Sequence, residues 1–252
     1  MNSFMKKTFK TAALLGAMTL VGGAQAAGVS GQGSWQSTLL ARDLDGNLAN
    51  GPEAFYDTTL QITWLDKVKQ YGDSWDNAKT WAAGLNVNGV TGWRLPTIMD
   101  TGTAGCDLSG AGGTDCGYNV QTKSGAPTQY ESGQTVYSEM AHLFYVTLGN
   151  KGYRAPGTGY AQDGWGLTNT GNFQNLKASH YWSGTGYAPY QNSAWRFNTH
   201  YGNQDFDVYF MSAYALAVRP GDVAATVPEP ETYALMLLGL GAVLVARRRR
   251  AL

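Results

Sequence analysis

Four short aromatic segments follow one another over residues 180–220, and they constrain the fold more than any other feature of the chain. They are "HYWSGT" (180–185), "SAWRFNTH" (193–200), "DFDVYFM" (205–211) and "YALAVRP" (214–220). Aromatic and β-branched residues suit a pleated, half-buried surface. "YGNQ" (201–204) has the turn chemistry of a hairpin between the second segment and the third. The expectation for this quarter is a meander of antiparallel strands.

The rest of the body adds a strand and two helices. "TLQITWL" (59–65) alternates Leu60, Ile62 and Trp64 with polar residues, the pattern of a half-buried strand. "DSWDNAKTWAAGLNV" (73–87) reads as a helix capped by Asp73 or Ser74, with Trp75, Ala78, Ala82 and Leu85 along one stripe and Trp81 beside it. "TVYSEMAHLFYVTLG" (135–149) reads as a second amphipathic helix, with Val136, Met140, Leu143, Phe144 and Leu148 as its apolar face and Gly149 closing it. Residues 101–134 and 150–178 are rich in Gly, Ser, Thr and Asp and read as long loops. The sum is an α+β fold, with antiparallel strands and helices segregated to one side.

Both ends carry addresses. Residues 1–26 have Lys6, Lys7 and Lys10, an apolar stretch, and the small-residue exit Ala24-Gln25-Ala26. That is the three-part pattern of a signal peptide, and the stretch is short for an anchor. A signal peptidase is the expected partner. At the other end, Pro228-Glu229-Pro230 precedes an uncharged run from Tyr233 to Ala246 and then Arg247, Arg248, Arg249 and Arg250. A helix that spans a bilayer alone needs about 20 residues. This run is therefore a weak permanent anchor.

Removing both ends changes the charge. The whole chain is formally neutral, but residues 27–227 keep eleven basic and sixteen acidic side chains, a net charge of about −5. No basic footprint for nucleic acid remains. Cys106 and Cys116 are the two cysteines. In an oxidising compartment they are expected to pair, closing a loop worth roughly 2–3 kcal/mol.

The ordered motifs "ITWL", "SWDNAKTWAAGLNVNGVTGWRLPT", "SEMAHLFYVTLGN", "YWSGTGY", "AWRFNTHYGNQ" and "YALAVRPGD" resemble the Lcl C-terminal domain family over roughly residues 55–222. The resemblance implies a C-type-lectin-like fold, two helices with a small antiparallel sheet and long loops, and adhesion or polysaccharide binding. The tail resembles the PEP-CTERM sorting signal, which implies recognition by an exosortase after transient insertion in the inner membrane of a Gram-negative-type cell. The arginines would stay on the cytoplasmic side. The expected organisation is a signal peptide (1–26), an N-terminal extension (27–54), a lectin-like domain (55–222), a linker with Pro-Glu-Pro (223–231) and the hydrophobic helix with its arginine tail (232–252).

Candidate sites follow. Exposed aromatic rings offer an apolar face to sugars, so Tyr160, Trp165, Tyr187, Tyr190 and Tyr201, all in Gly- and Asn-rich loops, are the candidate glycan contacts. Asp43, Asp45, Asn47 and Asp57 are candidate Ca²⁺ ligands, without the spacing of an EF-hand. Asp107, Asp115 and Asn119 form a weaker set near the disulfide. His142, His180 and His200 lack metal-site spacing. Arg94 in "WRLP" reads as a structural residue that bonds carboxylate or backbone oxygens. Nucleophile motifs are missing, as are the sugar-binding triplets of Ca²⁺ lectins. Formylglycine-generating enzymes, which share a similar "RLPT" stretch, use active-site cysteines, and Cys106 and Cys116 do not sit in the matching place. The expectation is an exported, non-enzymatic adhesion or polysaccharide-binding protein. The alternatives are a structural matrix component without a ligand and an enzyme on a lectin-like scaffold.

Overall fold

A computed structural model describes residues 28–106, 108, 115–120 and 138–223. The expected signal peptide, Asp107, the start of the second helix, the Pro-Glu-Pro linker and the tail lie outside these residues. Among the described residues no helix is long and apolar enough to cross a membrane.

The described residues are organised by one eight-stranded sheet. Its strands in chain order are β1 (Leu39–Arg42), β2 (Ala54–Asp57), β3 (Ile62–Asp73), β4 (Gly117–Tyr118), β5 (His180–Gly186), β6 (Ser193–Asn198), β7 (Asn203–Val208) and β8 (Ala213–Pro220). They lie in the order β1-β2-β3-β8-β5-β6-β7-β4. Pairing is antiparallel except between β5 and β8, which run parallel through Tyr181 and Tyr214. The hairpin of β6 and β7 forms, with Asn198 opposite Asn203. β8 does not continue the meander. It pairs instead with β5 and, in antiparallel fashion, with β3.

Strand alternation explains why the sheet is covered on both faces. Successive side chains point to opposite sides. On β8, Leu216 and Val218 face a core with Phe55, Trp64, Phe144, Tyr181 and Phe197. Ala213, Ala215 and Ala217 face a second core with Leu65, Trp93 and Trp182. A one-turn helix, α1 (Trp35–Thr38), leads into β1. The alanine stripe leaves room for the helix α2 (Trp75–Ala83), which buries Trp75, Ala78 and Ala82 there. Buried indole N–H groups usually find a partner: Trp75 donates to the Ser183 carbonyl at 2.7 Å and Trp182 to that of Asp73 at 3.1 Å. The Ser74 hydroxyl accepts from Asn77 N at 3.5 Å and caps α2, as its sequence led one to expect.

The expected α+β, C-type-lectin-like arrangement of two helices with a small antiparallel sheet is overturned by this large mixed sheet. Helices are few and short. The second expected helix is a three-residue α-turn, Glu139–Ala141, followed by a π-turn, His142–Thr147. Met140, Ala141, His142, Leu143, Phe144, Thr147 and Leu148 are all buried. The residue this segment opens to solvent, Val146, is apolar; with no polar face to keep an amphipathic helix in register, tertiary contacts set its backbone. It covers the sheet face opposite α2, so the helical pieces are not segregated to one side. Strands β1 and β2 are not legible in the sequence because four-residue segments are too short to show alternation. The stretch 28–54 supplies β1 and sends Trp35 and Leu39 into the first core. Gly33 and Gly149, both at positive φ, make this contact: a Cβ on Gly33 would lie 2.4 Å from the Thr147 carbonyl oxygen, and one on Gly149 2.5 Å from Gly33 N.

Candidate functional site

An aromatic shelf stands on the turn that links β6 to β7. The turn is built by Asn198, whose side-chain oxygen accepts from His200 N at 2.9 Å and Tyr201 N at 3.4 Å. Gly202 closes it at φ 68°, with its N–H on the Asn198 carbonyl at 2.7 Å. Tyr145 donates to the Gly202 carbonyl from behind. The chain from Lys151 to Gly166 folds back against the turn. Tyr153 N donates to the Tyr201 carbonyl at 2.7 Å, and Gly166 N to that of Lys151 at 2.8 Å.

These contacts bring Trp165 and Tyr201 into a stack, with centroids 5.5 Å apart and planes 12° from parallel. Tyr153 meets both rings edge-on, at 5.2 Å and 6.0 Å. His200 does the same at 5.4 Å and 4.4 Å. Edge-to-face packing suits the ring quadrupoles and holds such a cluster rigid. Tyr201 is 41% exposed, Trp165 half-buried and His200 exposed. Tyr160, on the same folded-back segment, is 78% exposed. Tyr118 and Arg154 extend the patch, the guanidinium 5.8 Å from the Tyr118 ring centre. Burial pushes the Tyr118 hydroxyl above its usual range, so it stays a neutral donor.

The structure thus gathers Trp165 and Tyr201 of the sequence candidates and puts Tyr160 nearby. Tyr187 is elsewhere and buried: it stacks on Phe206 at 3.8 Å and accepts from Gly105 N at 2.9 Å. Tyr190 is exposed at the turn between β5 and β6, within 5.5 Å of Tyr187. Sequence reasoning missed Tyr153 and His200 as shelf members. Tyr153 carries a signal in the sequence, since it lies in the same Gly-rich stretch as Tyr160 and Trp165.

The acidic candidates separate. Asp43 and Asp45 come together with Glu53, their ligand atoms within 4.8 Å of one another. Glu53 was not among the candidates. All three are already engaged with amides: Asp43 accepts from Asp45 N and Gly46 N, Asp45 from Asn47 N and Asn50 Nδ2, and Glu53 from Leu44 N at 2.7 Å. The Asn47 side chain accepts from Ala49 N. Asp57 lies at the other end of the β1–β2 pair and is buried, held by Thr59 N, Leu60 N and the Thr147 hydroxyl. Asp115 holds Thr101, and Asn119 donates to the Arg154 carbonyl. The three histidines form no close metal-ligand group among the described residues. His180 pairs with Asn198 at 3.1 Å, and burial depresses its basicity.

Cys106 and Cys116 form a disulfide, with Cα atoms 5.0 Å apart. It packs with Ile98, Tyr187 and Trp195 in a third, small core. Arg94 forks onto both oxygens of the buried Glu139 at 2.7 Å, and Thr97 N donates to the same carboxylate.

The fold and shelf define an all-round covered sheet with a solvent-facing aromatic platform. The chain's address comes from its tail. Residues 226–250 match the family described as the PEP-CTERM protein-sorting motif. No Lcl or C-type-lectin-like family matches the body. Neither a curated protein nor a solved structure matches the chain. The tail marks the chain as an exosortase substrate exported through the cell envelope to the surface.

Proposed function

We propose that the exported body is a non-enzymatic adhesion module that binds polysaccharide at the cell surface or in the extracellular matrix. The observation that carries this reading is the stacked Trp165–Tyr201 pair, clamped edge-on by Tyr153 and His200. Rigid rings of this kind contact a sugar's C–H face at little cost in side-chain entropy. Tyr160 and the Arg154 region would supply the polar rim. In this reading a signal peptidase removes residues 1–26, the tail is held transiently in the inner membrane, and an exosortase completes export.

The test is a polysaccharide panel that includes the host's own exopolysaccharide, read against Trp165→Ala and Tyr201→Ala. The expected result is binding by the parent chain and a loss of about tenfold or more in each variant, the scale of one aromatic contact of 1–2 kcal/mol. Failure to bind any polysaccharide sinks the reading. A structural matrix role without a ligand then takes its place, supported by Phe210 and Met211, which are 76% and 44% exposed between β7 and β8.

A further inference from the structure

Two cavities meet beside β3 and the end of α2, away from the shelf residues. The larger, about 500 Å³, is lined by Lys67, Lys69, Asp73, Trp81 and Asn175. The smaller, about 300 Å³, lies against Asp66, Leu85, Asn86 and Asn88. Lys67 lines both and joins them into one groove. Small-molecule sites have this size, with apolar walls and a few placed polar groups.

The walls have a defined chemistry. Trp81 and Leu85 give an apolar side, and three asparagine amides offer paired donors and acceptors. Asn175 is held in place, its Nδ2 on the Asp66 carbonyl at 2.8 Å and its N–H on the Asp66 carboxylate at 3.3 Å. The acids of the groove are occupied. Asp66 accepts from Gln174 N and Asn175 N, Glu53 from Leu44 N, and Asp73 pairs with Lys69 at 3.1 Å. Lys67 is exposed and takes part in no salt bridge among the described residues. Accepting an amide N–H does not discharge a carboxylate, so beside these acids the Lys67 ammonium can meet one carboxylate at most. A phosphate would bring a second negative charge, and the other lysine among the described lining residues, Lys69, is already paired with Asp73.

We propose that this groove is a second saccharide-binding site, which takes an acidic sugar unit with its ring against Trp81 and its carboxylate on Lys67. The site stands independently of the shelf. Ligand hydroxyls fall to Asn86, Asn88 and Asn175, and the carboxylate supplies selectivity rather than most of the affinity.

The experiment is isothermal titration calorimetry on the full chain in detergent at low ionic strength, with tetragalacturonate and its methyl ester as probes. The acid is expected to bind about fivefold more tightly than the ester, the scale of a partly exposed ion pair. Lys67→Gln, a change at an exposed position, should bring the acid down to the ester's affinity and leave the ester unchanged. Trp81→Phe should weaken both probes, and Trp165→Ala neither. Equal binding of acid and ester, absence of binding, or acid binding that survives Lys67→Gln but is lost in Trp165→Ala overturns the proposal.

Discussion

Asp66 shows how a single buried acid can tie stability to pH. It is 8% exposed on β3 and accepts two backbone amides from the 174–175 segment, yet burial outweighs them and lifts its pKa from 3.8 to about 6. The folded state therefore keeps a proton that the unfolded chain has already lost. Its contribution is most favourable below pH 3.8 and falls as pH rises through 6, by an amount on the order of 2–3 kcal/mol. Asp66→Asn should flatten this part of the profile. Urea midpoints of parent and variant between pH 4 and 6.5 would show it, and parallel curves would refute the assignment. Buried Asp57, also shifted upward, acts in the same direction and is common to both proteins. Two of the arginine forks, Arg94 on Glu139 and Arg42 on Asp222, give a second comparison. Arg94→Ala strands the buried Glu139 carboxylate and should cost about 3 kcal/mol or more. Arg42→Ala breaks a pair whose Asp222 is 42% exposed and should cost under about 1 kcal/mol. Equal losses in chemical denaturation would contradict this ranking. That Arg94 is structural was legible from its place in "WRLP"; its partner 45 positions on was not.

At the scale of elements, the disulfide is the clearest test. Replacing Cys106 and Cys116 by serine opens a loop of sequence separation 10, and should lower stability by about 2–3 kcal/mol. The same shift should follow when reductant is added to the parent chain during denaturation. A null result would mean that the third core holds the loop unaided. The helix α2 could be read locally because its cap, stripe and solvent face all lie within a dozen residues. The 135–149 segment could not. The same 3.6-residue spacing arises whether one side or nearly all sides are buried, and burial of Thr147 and His142 decides the matter. The strand at β8 was legible from its composition, but nothing in "YALAVRP" names β3 and β5 as its neighbours.

For the whole molecule, the tail makes its own prediction. Replacing Pro228 and Glu229 by alanine should leave the chain unprocessed in its native host, at a mass that still includes the tail. Intact-mass measurement of the membrane and surface fractions together checks this, and unchanged processing would sever the sorting step from the motif. The body and the tail are separable problems. Asp222 is held by Arg42 at 2.7 Å and Val223 is buried, so the packed body reaches to within three residues of the matched motif. Sequence alone determined the address, the cysteine pair and the strand-forming last quarter, because sorting signals and strand propensity are written in contiguous residues. Only the tertiary structure decided that Trp165 stacks on Tyr201, that Tyr187 is core, that Glu53 rather than Asp57 joins Asp43 and Asp45, and that the strands form one mixed sheet. Those outcomes depend on which distant segments exclude water together, and the free energy of that choice is spread over the whole packed core rather than held in any local pattern.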